Sequence, residues 1–312
     1  MRARRDDAAK DVIARNPIRL RRSIHFVPGP NEKMLRKSLE SAADSIVLDL
    51  EDAVAPHDKA DARKVIAAWL REVDFGAKEV VVRLNPLNTP WGLADLEMTL
   101  AAPPHLYMIP KAERLSELQV LNTEISKHEM RGQEQPFSIG LLLIGSETAL
   151  GVANLNLLAN EPRVVALTWG AEDLAADLGA EENRTANGRY VSMFATCRDR
   201  TVLAASVGGV QAVDTVYVGL NDDEGLRADC ESATNIGFTG KLTIHPNQIP
   251  IVNEAFTPSE EAVARAKRLV EAFATARNEG RNAFRFEGQM VDAPHLSRAQ
   301  ELLNRVGERV TQ

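Results

Sequence analysis

Eight short apolar runs recur along the chain: Ser23 to Val27, Ser45 to Leu48, Glu79 to Leu84, Leu106 to Ile109, Ile139 to Ile144, Val164 to Thr168, Thr215 to Val218 and Leu242 to Ile244. They are nearly unbroken rather than alternating, the pattern of parallel strands buried on both faces. Each gap between them has room for one helix, as a right-handed crossover between parallel strands requires. Eight such units predict closure into a (β/α)8 TIM barrel of the α/β class. The competing architecture is an open doubly wound sheet, but no Gly-x-Gly-x-x-Gly turn follows the first run, so a dinucleotide fold has no support.

The pattern changes after the helical stretch Ser259 to Ala276, where Arg277 to Gly280 reads as a linker. The predicted organisation is an N-terminal extension (1–20), the barrel (21–276) and a C-terminal segment (277–312). In the last, Gly288 to His295 reads as a strand and turn and Leu296 to Val306 as a helix. A segment this short is too small to hold a core of its own, so it is expected to dock on the barrel or on a neighbouring subunit.

Composition narrows the partners. The 312 residues suit one barrel with a small appendage, and 44% hydrophobic with 26% charged residues is ordinary for a globular protein. Net charge is −7, and basic residues cluster only at Arg2, Arg4, Arg5 and at Arg19, Arg21, Arg22, so a nucleic-acid surface is not expected. Cys197 and Cys230 lie far apart, with neither disulfide-framework nor metal spacing, which points to a reducing cytoplasm. No apolar run approaches the roughly 18 residues of a membrane span, and the first residues lack the apolar centre of a signal peptide.

Chemistry is sought at the C-terminal ends of barrel strands. Those ends carry Pro28-Gly29, Asp49-Leu50-Glu51-Asp52, Arg83 with Asn85, Pro110-Lys111, Ser146-Glu147-Thr148, Glu172-Asp173 and His245-Pro246. So many charges are costly to bury together unless they serve a ligand or a metal. Glu147 and Asp173 follow successive strands; two carboxylates there suit magnesium, and equally each would favour the N-terminus of the next helix, with Glu172 able to replace Asp173. Arg83 either pairs with Asp49 or Glu51 or awaits a substrate carboxylate, and three acids in 49–52 exceed one salt bridge, so at least one should face the site. His245 reads as a structural histidine. His25, His57, His105 and His128 show no zinc spacing, and no Gly-x-Ser-x-Gly elbow is present.

In their order, these motifs resemble the citrate lyase β-subunit-like group of the HpcH/HpaI aldolase superfamily, which includes citryl-, malyl- and citramalyl-CoA lyases. The resemblance runs from Arg22-Ser23-Ile24-His25-Phe26-Val27-Pro28-Gly29 through Val47 to Val54, Arg83-Leu84-Asn85, Pro110-Lys111, Glu147 to Gly151 and Gly170 to Leu174, ending at Ile244-His245-Pro246. It implies a (β/α)8 barrel, magnesium on Glu147 and Asp173, and Arg83 at the substrate carbonyl or carboxylate; manganese accepts the same oxygen ligands and stays open. It also implies that Asp49 is an acid near the site, and that Arg22 and Gly29 face substrate and the CoA pyrophosphate. Gly288 to His295 resembles a C-terminal lid whose acid, here Asp292, reaches a neighbouring subunit's site, implying a homotrimer or homohexamer. One departure is Ser146, where the family commonly has an aliphatic residue.

The expected reaction is cleavage or formation of a short β-hydroxyacyl-CoA from an acyl-CoA and an α-keto acid, with Asp49 as base through a water and Asp292 acting at the acyl carbon. The alternatives are a thioesterase of the same fold, a CoA-free keto-acid aldolase, and a carrier-protein-dependent citrate lyase β subunit.

Overall fold

A computed structural model describes residues 19–133 and 135–308. The Arg2, Arg4, Arg5 cluster and nearly all of the expected N-terminal extension lie outside the described residues.

The chain divides into two compact units. In the first, which includes Arg21–Glu254, eight parallel strands form a closed barrel in sequence order. They are β1 (Ser23–Val27), β2 (Ser45–Asp49), β3 (Glu79–Arg83), β4 (Leu106–Ile109), β5 (Gly140–Ser146), β6 (Val164–Trp169), β7 (Gln211–Asp214) and β8 (Gly240–Thr243). Closure is made by β8 on β1, with Ser23 opposite Lys241 and His25 opposite Thr243. The interleaved helices include α1 (Glu32–Glu40), α2 (Lys59–Glu72), α3 (Gly92–Thr99), α4 (Leu115–Gly132), α5 (Ala149–Ala159), α6 (Ala171–Leu178), α7 (Ser192–Gly208), α8 (Asp223–Ile236) and α9 (Gln248–Phe256).

Period-two alternation sorts the strand residues into two faces. Ile24, Val47, Val81, Met108, Leu142, Ala166, Val213 and Leu242 fill the barrel interior as one core cluster. Two residues further along β2 and β3 the same face carries Asp49 and Arg83, which are thereby aimed inward at the C-terminal end. The opposite face carries Trp169, Asp214 and Lys241 toward the helix layer, where Arg198 of α7 and Asp229 of α8 complete a buried ion network.

The seventh strand corrects the sequence expectation. It is Gln211–Asp214, not Thr215 to Val218, which continues as loop. Helix α7 ends at Gly209 in the left-handed region (φ 65°), and the chain enters the sheet at once, pairing Gln211 with Ala166. Asp214 disguised this strand as a turn; its charge is accommodated because Lys241 and Arg198 meet it at 2.7 and 2.8 Å.

The second unit begins at Ala255, earlier than the sequence boundary at 277. It takes in α10 (Glu260–Asn278), a hairpin of β9 (Phe284–Phe286) and β10 (Gln289–Val291), and α11 (Ala293–Arg305). With α10 included the segment has a core: Ala266, Leu269 and Phe273 bury against Val291, Leu296, Ala299 and Leu303. The hairpin and α11 alone would lack one side of it, which is why the boundary moves.

Candidate active site

Arg83 sits among acids at the barrel mouth. Its Nε and Nη2 donate to the two oxygens of Asp49 at 2.7 and 2.8 Å, and its Nη1 lies 2.8 Å from Glu51 Oε2 and 3.3 Å from Asp52. The guanidinium stacks 4.9 Å from the ring centroid of Phe26. Burial alone would lower the Arg83 pKa, but the Asp49 hydrogen bonds and the neighbouring acids outweigh it and hold the charge in place. The structural pairing expected of Arg83 is therefore present: Asp49 fixes the fork, and the remaining edge faces Glu51 and Asp52 at the mouth.

This geometry corrects the role expected of Asp49. Both of its oxygens are engaged by Arg83 and also accept the backbone N–H groups of Glu51 (2.9 Å) and Ala53 (3.4 Å). A carboxylate so saturated orients Arg83 and has no lone pair free for a reacting proton. Glu51 is the better placed acid. It is buried, and its Oε2 is near Arg83 Nη1 but off the hydrogen-bonding direction, so this oxygen accepts no hydrogen bond among the described residues. Burial raises its pKa, with Arg83 and Lys111 opposing.

Lys111 connects the acids. Its ammonium lies 2.7 Å from Glu51 Oε1 and 3.1 Å from Asp173 Oδ1, and its backbone N–H donates to Glu147 Oε2 at 2.7 Å. The residue adopts a left-handed backbone (φ 47°), uncommon outside glycine. Glu147 is 3% exposed, and burial, then the charges of Glu51 and Asp173, push its pKa up to about 8. Capping does not explain Glu147, since Thr148 caps α5 by accepting from Gly151 N. Asp173 stands in the first turn of α6 beside Lys111, whereas Glu172 accepts from Asn183 and does not substitute for it.

Gly170 makes room for Glu147: a Cβ there would meet Glu147 Cγ at 2.6 Å and Oε1 at 2.9 Å. Gly170→Ala is therefore expected to shift that carboxylate and weaken magnesium binding about 10–100-fold by calorimetry on the folded variant. An unaltered affinity would show that the close approach has no functional weight.

The other sequence candidates separate. Gly29 (φ 55°) forms the β1 loop against Val54 at the same end as Arg83. Arg22 does not join it. It precedes β1, at the N-terminal end of the barrel, and its guanidinium is held by Asp44 at 2.8 and 2.9 Å, so the substrate-facing role implied for it is not supported by its position. Ser146 turns away from the mouth to Thr201 of α7 (3.0 Å) because the β5–β6 register shifts between Ile144 and Ser146, so the departure from the family pattern leaves the mouth's lining untouched. Asp292, in the second unit, is half exposed at the start of α11, with His295 Nδ1 2.6 Å from its Oδ1. A cleft of about 470 Å³ lined by Phe26, Pro28, Lys37, Ile244, His245 and Pro246 opens beside β1 and β8. His25 also lines it; burial first, then the charge of His245, lowers its pKa to about 4, with Thr243 opposing. Sequence reasoning gave no role to Lys111 and did not single out Glu51; the charge imbalance of several acids against one arginine was the available signal.

Residues 22–246 match the family model described as HpcH/HpaI aldolase/citrate lyase. The chain belongs to this family. It is 37% identical over 295 residues to the mitochondrial citramalyl-CoA lyase of Rattus norvegicus, covering 91% of this chain and 85% of that protein. It is 34% identical over 282 residues to a (3S)-malyl-CoA thioesterase of Cereibacter sphaeroides, covering 90% and 93%. Among solved structures it resembles the CitE protein of Mycobacterium tuberculosis in complex with magnesium, acetoacetate and coenzyme A, with a TM-score of 0.73 and 36% identity over 92% of this chain and 98% of that one.

The residues present fit the divalent ion associated with this HpcH/HpaI relative. Glu147 is a buried carboxylate short of positive charge, and Thr168 Oγ1, on the inward face of β6, is a buried oxygen without a hydrogen-bond partner among the described residues. Also among the described residues, no three acid, histidine or cysteine side chains converge as a closed metal cage. A cation here would therefore have at most two protein carboxylates, with water or substrate oxygen completing its shell, as magnesium prefers.

Proposed function

We propose that the protein is a magnesium-dependent carbon–carbon lyase that splits a short β-hydroxyacyl-CoA into an acyl-CoA and an α-keto acid, or joins them. The observation that carries this reading is the barrel mouth itself: an oriented Arg83 and the carboxylates of Glu51, Glu147 and Asp173 at the ends of neighbouring strands, in a chain of this family.

Glu147 and Asp173 would hold magnesium, or manganese on the same oxygen donors, and the ion would supply Lewis-acid polarisation of the substrate's keto or hydroxyl oxygen. Arg83, locked by Asp49, binds the negative charge of the keto-acid half. Glu51 takes the hydroxyl proton through Oε2, which accepts no hydrogen bond among the described residues; the carbon–carbon electron pair passes to the thioester α-carbon as the keto group forms. That carbon then needs a proton, which we assign to Asp292 of a second copy. The reading thus includes a homo-oligomer, a trimer or hexamer, in which the lid serves a neighbour. The cleft beside β1 and β8, with Lys37, is the place assigned to the CoA arm. Cytoplasmic location is part of the same proposal, supported by the two free, buried cysteines; no described helix is long and apolar enough to cross a membrane.

The test is to incubate the protein with magnesium, acetyl-CoA or propionyl-CoA, and glyoxylate, pyruvate or oxaloacetate in turn, reading condensed acyl-CoA by mass. Product is expected from at least one pair, lost with chelator and restored by magnesium. Product that survives chelation defeats the reading. Similarity to the malyl-CoA thioesterase favours a second activity, hydrolysis, whose mark is free CoA released without keto acid.

A further inference from the structure

Lys111 touches three of the carboxylates at the mouth, but in two different ways. Its ammonium meets Glu51 and Asp173, while only its backbone N–H meets Glu147. The side chain is about one-third exposed, so the ammonium has solvent to move into, whereas the backbone contact is set by the turn after β4. An ammonium 3.1 Å from Asp173 Oδ1 stands where a cation on that oxygen would approach. Two positive groups at that separation repel strongly in a partly buried site.

The geometry points to Lys111 as a placeholder cation: without metal its ammonium neutralises Glu51 and Asp173, and a divalent ion arriving on Asp173 and Glu147 drives it off Asp173. The backbone hydrogen bond to Glu147 stays in place throughout, so one metal-binding carboxylate remains oriented while the other is released. Metal affinity is then set by a competition internal to the chain. The displaced ammonium keeps Glu51 as its partner, which ties the proton-transfer acid to the loading state of the site. This inference rests on the metal reading of Glu147 and Asp173 given above.

Magnesium chloride titrated calorimetrically into the full chain, with no substrate present, tests it. Lys111→Met is expected to bind magnesium about tenfold more tightly than wild type, because a competing charge has been removed. Lys111→Arg, which keeps the charge, is expected to bind no more tightly than wild type. Equal or weaker binding by a folded Lys111→Met protein overturns the inference. Should that variant fail to fold, a crystal structure of the wild-type protein with magnesium decides: Lys111 Nζ withdrawn from Asp173 is the expected result, and Nζ still in contact with Asp173 beside a bound ion overturns it. Wild-type binding that is absent, or indifferent to Glu147→Ala, removes the metal reading and this inference with it; binding that depends on Glu147 but not on the Lys111 charge removes the inference alone.

Discussion

Glu147→Gln is expected to lower kcat/KM about 10³-fold or more while making the metal-free barrel more stable. Glutamine keeps the shape, and its carbonyl can still accept the Lys111 N–H that now reaches Glu147 Oε2 at 2.7 Å. What disappears is the negative charge. In the folded protein burial and the neighbouring acids raise the Glu147 pKa from 4.5 to about 8. Between those values the unfolded chain has released the proton and the folded chain still holds it, so wild-type stability falls as pH rises through that window. Glutamine carries no such penalty. Melting curves in chelator should therefore coincide below pH 4.5 and separate progressively toward pH 8, the variant melting higher. A variant that is inactive and also less stable at pH 8 would show that the carboxylate is structural. The opposition of the two effects is what a binding group held for function, at a cost to stability, produces.

Much of this was legible because unbroken apolar runs mark the strands and barrel sites lie at their C-terminal ends. Once Val47 and Val81 are read as interior, Asp49 and Arg83 follow on the same face two residues later. Glu147 and Asp173 were legible as strand-end acids, although sequence alone left capping open until Thr148 was seen to cap α5. Other features depend on tertiary geometry that no local pattern encodes. The choice between Asp49 and Glu51 turns on which carboxylate the Arg83 fork saturates. Arg22 was placed with the substrate by its neighbours in sequence, yet it stands before β1 rather than after it. Strand β7 was displaced because a buried aspartate looks like a turn until Lys241 and Arg198 are found opposite it.

That aspartate sets the second large effect, which falls on stability. Asp214 is fully buried between barrel and helices and accepts from Lys241 (2.7 Å), Arg198 (2.8 and 3.1 Å) and Trp169 Nε1 (2.8 Å). Burial would raise its pKa, but the two cations outweigh it and hold the carboxyl well below the usual range. Asp214→Ala leaves two buried cations facing the single remaining acid, Asp229, and an indole N–H without its acceptor. Breaking such a pair by removing one side costs about 3–5 kcal/mol, which for a unit of this size corresponds to a melting temperature lower by roughly 10 °C. Asp214→Asn separates charge from contact, since its amide oxygen can still accept from Trp169. It should lose most of the same stability if charge balance is what holds β7, β8, α7 and α8 together. A loss confined to the alanine variant would instead assign the effect to the Trp169 hydrogen bond. Trp169 is followed directly by Gly170 and, four residues on, by Asp173, so either variant, measured below its melting temperature, should also bind magnesium more weakly if this network holds the β6 end in register.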